Sequence, residues 1–76
     1  MKAKELFGKE VIDVNAKVVG KIADMEIDIK KGSIRSIMVK SGFLAKKISI
    51  LPADIEKIGD KVMLKVAKAK VQHLSI

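Results

Sequence analysis

The stretch Ala23-Asp24-Met25-Glu26-Ile27-Asp28-Ile29, followed by Lys30-Lys31-Gly32-Ser33, decides the fold. Its apolar and acidic residues alternate strictly, placing Ala23, Met25, Ile27 and Ile29 on one face of a strand. Asp24, Glu26 and Asp28 take the other face. A helix would scatter both sets around its circumference. Gly32 is free to adopt positive φ, so residues 30–33 predict a hairpin turn. Ile22 falls out of phase beside Gly20, which predicts a bulge or sharp bend there.

Downstream, residues 34–40 return as a strand antiparallel to the first. Ile34 and Met38 lie on one of its faces, Ile37 and Val39 on the other. A strand apolar on both faces is covered on both, by the chain's own segments or by another subunit. The same property leaves the hairpin register open. Residues 41–47 form a loop with an apolar tip, and a strand over 48–51 ends at Pro52, which cannot donate to a ladder. A tight turn then feeds a short strand reaching residue 58. Gly59-Asp60 signals a second hairpin, and Val62, Leu64 and Val66 alternate beyond it. Upstream, residues 3–7 fit a helical turn closed by Gly8. Residues 11–14 form a strand, and Asn15 tolerates left-handed φ in the turn over 15–17. The tail from Ala67 fits a short helix, a strand extension or a frayed end. About six short strands with closely spaced turns predict an all-β fold, a small, strongly bent antiparallel barrel.

Length and composition narrow the function. Seventy-six residues predict a single domain, 1–76, with a core over about 6–66. The absence of cysteine excludes a disulfide framework and thiolate metal sites. No apolar run reaches the roughly 18 residues of a membrane helix, and no leader is visible, so a cytoplasmic protein is expected. The net charge of +7 is unevenly spread. Residues 1–28 hold five lysines against six acids, whereas residues 29–76 hold eleven bases against three acids. Lys30, Lys31, Arg35, Lys46 and Lys47 are the candidate surface for an anionic partner. All but one of the bases are Lys, and the only aromatics are Phe7 and Phe43. Base-specific recognition, which relies on Arg forks and stacking platforms, is therefore not expected.

No catalytic constellation is evident. His73 is the only histidine, no serine sits in a nucleophile elbow, and the five glycines match no phosphate-binding motif. Asp24, Glu26 and Asp28 are the only carboxylate cluster. A hard cation gathers six or more oxygens, so these three read better as a solvated strand face. No cofactor or metal site is expected, and no enzyme. Phe43 and Leu44, at the loop tip, either cap the barrel or stand out as a binding knob.

Two runs resemble the opening of the PRC-barrel domain. They are Gly8-Lys9-Glu10-Val11-Ile12-Asp13 and Val19-Gly20-Lys21-Ile22-Ala23-Asp24-Met25-Glu26-Ile27-Asp28. Ile50-Leu51-Pro52, residues 55–58 and Gly59-Asp60 resemble its closing hairpin, so the likeness covers roughly residues 6–66. Asn15-Ala16-Lys17 departs from it, since many members carry Gly in that turn. The resemblance implies an SH3-like barrel with an assembly or adaptor role and no catalysis. Such barrels occur in the ribosome-maturation factor RimM, in the photosynthetic reaction-centre H subunit and as short stand-alone archaeal proteins. Some of the last are partners of the membrane-anchoring cell-division protein SepF. With neither RimM's RNA-processing-factor domain nor the H subunit's membrane helix in these 76 residues, the stand-alone type is the nearest.

The expected function is thus a homodimeric, protein-binding adaptor, with a SepF-like protein among its partners. Small barrels without disulfides or metals are marginally stable, and self-association is the simplest remedy. Ile34, Ile37, Met38, Val39, Phe43 and Leu44 are the candidate protein or dimer interface. The alternative is ribosome or RNA association through the basic residues named above.

Overall fold

The computed structural model describes residues 1–41 and 46–74. Seven strands form one mixed sheet in the order β5-β6-β1-β2-β3-β4-β7. They are β1 Glu10–Ile12, β2 Val18–Asp28, β3 Ser33–Ser41, β4 Lys46–Ile50, β5 Ile55–Ile58, β6 Val62–Leu64 and β7 Gln72–Leu74. One helical turn, α1 (Ala3–Leu6), precedes them, and 3₁₀ turns occupy Pro52–Asp54 and Lys68–Lys70. The inward residues Val11, Val19, Ile22, Ile37, Val39, Ile48, Ile50, Val62 and Leu64 are all buried in one cluster. Faces from β1, β2, β3, β4 and β6 can converge on one core only if the sheet curls, which gives the barrel-like form. Among the described residues the sheet is not closed, because β5 and β7 stand at its edges. Leu6 of α1 and Val71 pack into the core as well.

The β2–β3 hairpin is antiparallel with the turn where the local signals put it, and Gly32 has φ 64°. The Asp28 carboxylate accepts a hydrogen bond from the Lys31 amide at 3.0 Å and helps hold that turn. The out-of-phase Ile22 is resolved by a register shift between Ile22 and Asp24, leaving Ala23 as the extra residue. Because side chains alternate with period 2, one inserted residue exchanges the faces. Ile22 and Met25 therefore both turn inward. A second shift lies between Glu26 and Ile27, opposite Arg35.

That second shift corrects the reading of Ile34 to Lys40 as a strand apolar on two faces. Ile34 pairs with Ile27 and Ile37 with Met25, so the extra residue Arg35 turns Ile34 to the same side as Ile37. Met38 alone keeps the outer face.

Two further readings change, and one left open is decided. The positive φ in the first turn belongs to Ala16, at 63°, and not to Asn15. The Asp13 carboxylate organises that turn and leaves residue 16 at its left-handed position. The strands are not all antiparallel, since β1 and β6 pair in parallel through Val11 with Val62 and Ile12 with Met63. Finally, part of the tail forms β7, which pairs antiparallel with β4. No helix of the described residues is long and apolar enough to cross a membrane.

Candidate interaction surfaces

β2 and β3 are much longer than the strands beside them, so their distal halves run past the core. The apolar face of the hairpin is uncovered there: Ile27 is 52% exposed and Ile34 40%. Together with Met25 and Ile37 they line a groove of about 610 Å³. Leu6 and Ala3 of α1 close one part of it, and Pro52, Ile55 and Ile58 another. Lys2 is the one charged residue among those that line it. The alternation that marks the strand so clearly thus builds an open apolar surface rather than a buried one, because no neighbouring strand reaches far enough to cover it.

This placement divides the interface residues expected from sequence. Ile37 and Val39 are corrections: both are core residues, 2% and 0% exposed, and only the edge of Ile37 reaches the groove floor. Ile34 lies in the groove. Met38 is half-buried on the opposite face, between Asp24 and Ser49. Phe43 and Leu44 lie outside the described residues. Ile27 and Ile58 are groove residues that the pattern did not single out, since strict alternation argues for burial.

The five bases do not form one surface. Lys30 and Lys31 occupy the hairpin turn, and Arg35 stands 3.9 Å from Glu26, both exposed. Lys46 and Lys47 begin β4 at the far end of β3, where Ser41 pairs with Lys46 and Lys40 with Lys47. The five-residue advance from Arg35 to Lys40, which pairs with Lys47, keeps even the nearest members of the two groups about 17 Å apart along the strand.

The register brings together a different set. Lys21 pairs with Lys40, and Lys40 with Lys47, so three lysines stand side by side across β2, β3 and β4. Their inward neighbours Ile22, Val39 and Ile48 are buried, which sends the lysines to the outer face. Glu10 continues the row on β1, but its carboxylate is held by Lys61 at 2.9 Å. A shallow depression of about 360 Å³ lies between Lys21 and Lys40, lined also by Glu10, Val18 and Gly20. A Cβ at Gly20 would fall 2.4 Å from the Lys40 carbonyl oxygen, so glycine is what lets β3 cross so closely here.

The carboxylates are dispersed in role. Asp24 accepts from the Met25 amide, Glu26 faces Arg35 and Asp28 holds the hairpin turn. Among the described residues no group of three potential ligands converges on a metal site. Asp13 differs from all of these. It is 1% exposed and accepts backbone N–H groups from Asn15 at 2.8 Å, Lys17 at 2.7 Å and Lys68 at 2.8 Å. Burial pushes its pKa up, but the three hydrogen bonds and the Lys17 charge outweigh this, holding it below the usual 3.8. Its role is to clasp the segment after β6 to the β1–β2 turn.

No curated protein matches the sequence closely enough to count as a relative. The family model described as PRC-barrel domain matches residues 1–71. PRC-barrel domains are small, non-catalytic β-barrel modules that mediate protein interactions. Given a match over nearly the whole chain and a barrel-like β fold with Gly20 and the 23–28 alternation in place, the chain belongs to the PRC-barrel domain family.

Proposed function

We propose that the protein is a non-enzymatic adaptor that docks a protein partner in the groove between the β2–β3 hairpin, α1 and β5. The observation that carries this reading is the gathering of Ile27, Ile34 and Ile58, all more than a third exposed, in one groove. Patches of clustered apolar side chains mark interaction sites on small soluble domains. The adaptor is homodimeric, because a core of this size gains from a second copy, and Met38, on the outer face, remains an interface candidate together with Phe43 and Leu44. Resemblance to the short archaeal members extends the partner class to SepF-like division proteins. Burying one Ile side chain contributes about 1.5–3 kcal/mol. Ile34→Ala therefore weakens partner capture at least about tenfold with little change in fold. Light scattering on the wild type checks the dimer, and a pull-down with Ile34→Glu checks the groove. A strict monomer would refute the first, and undiminished capture the second.

The RimM-like alternative, ribosome or RNA association through Lys30, Lys31, Arg35, Lys46 and Lys47, ranks lower, because these bases stand in two separated groups. A basic surface does exist, but it is composed differently.

A further inference from the structure

We infer that the outer face of β2, β3 and β4 binds a second copy of this chain, with Asp24 of each copy set over Lys21 of the other. The inference rests on the homodimeric reading above and names its face, which lies on the other side of the sheet from the groove. The bulge at Ala23 builds this face, because it brings Lys21 and Asp24 to one side of β2. Across the three strands the outward side chains fall in successive rows. Glu26 stands beside Ser36, Asp24 beside Met38 and Ser49, and Lys21 beside Lys40 and Lys47. Rows two residues apart are separated by about 6.5–7 Å. Acids thus hold one half of the face and lysines the other, with Met38 between them.

Such a face is complementary to itself. A twofold interface uses the same patch on both subunits, so a contact made in one direction is repeated in the other. With the axis running across the strands, between the Met38 row and the lysine row, the acid half of each copy covers the lysine half of its partner. The acid half is also concave, since Asp24, Glu26, Ser36, Met38 and Ser49 line a depression of about 440 Å³. Lys40 of the second copy enters it, laying its aliphatic stem along Met38 and its ammonium group beside the two carboxylates. Arg35 stands 3.9 Å from Glu26, a long exposed pair that competes little. Within one copy, lysines directly opposite in neighbouring strands repel, and the second copy's carboxylates relieve that repulsion. An unrelated partner would have to match this order of charges by its own sequence, whereas a second copy matches it by symmetry. Charge complementarity therefore selects the occupant.

The test is a charge exchange, read by light scattering over a concentration series. Asp24→Lys sets base over base at both symmetric contacts, and Lys21→Glu sets acid over acid. Each variant alone is expected to dimerise at least about tenfold more weakly than the wild type. Both positions are exposed, so thermal melts of the two variants stay near that of the wild type. Mixed in equal amounts, the two variants are expected to form a heterodimer, because an acid again meets a base at both contacts. Lys57→Glu, on the edge strand β5, makes the same change of charge and leaves the dimer unchanged. The face is overturned, with the homodimeric reading intact, if either exchange variant alone dimerises like the wild type, if the mixture stays unpaired, or if Lys57→Glu costs as much. A wild type that is monomeric at every concentration overturns both.

Discussion

Asp13 shows how much a single residue can fix. Its carboxylate is shut from water and makes three backbone hydrogen bonds, one of them to an amide 55 positions away. Asp13→Ala strips three amides of their acceptor at once, and a Tm lower by about 5–10 °C is expected in a thermal melt. The pH dependence follows in sign. Its folded pKa is depressed below 3.8, so this stabilisation is fully present above that value. It disappears as pH falls through the lower, folded pKa. Asp13→Asn keeps the shape and loses the charge; its acid-unfolding profile over that window is expected to be flatter than the wild type's. Gly20→Ala makes a second residue-scale case, because the new Cβ collides with backbone that cannot yield. The first role is not legible in the chain: Asp13 reads as an ordinary polar turn residue until Lys68 is brought to it. Gly20, by contrast, was flagged by the broken phase beside it.

At the scale of elements, the β2–β3 hairpin is where pattern and structure meet and part. The strict alternation, the Gly32 turn and the displaced phase of Ile22 all carry through into the fold, because each depends on residues within a few positions of one another. The second bulge, opposite Arg35, had no such signal, and with it the facing of Ile34 was lost to the pattern. Removing Arg35 from the chain is expected to restore simple pairing while keeping Ile34 opposite Ile27, on the face of Ile37. Partner capture is then retained, in contrast to Ile34→Glu, and circular dichroism keeps its strand signature. On the core side of the same strand, Ile37→Ala is expected to cost about 2–5 kcal/mol in denaturant unfolding. An unfolding midpoint close to wild type would show that Ile37 is not the core residue its 2% exposure indicates.

For the whole molecule, what matters is which strands are neighbours. The parallel β1–β6 pair joins the two ends of the chain's core, and β7 adds the tail to β4. The same assembly decides the charge distribution. Lysines at 21, 40 and 47 look unrelated along the chain and become one row, whereas the sequence-adjacent groups Lys30–Lys31 and Lys46–Lys47 end far apart. Raising salt is therefore expected to stabilise the fold modestly in a thermal melt, since screening relieves a row of like charges more than it weakens the few surface ion pairs. By itself the sequence determined the β class, the hairpin, the turns and the family, because period and turn chemistry are written in neighbouring residues. Only the tertiary structure decided the bulge that turns Ile34 into the groove, the clasp at Asp13, the parallel pair and the lysine row. Each of these depends on how one segment pairs with another, and that register is set by how the whole sheet curls around one core.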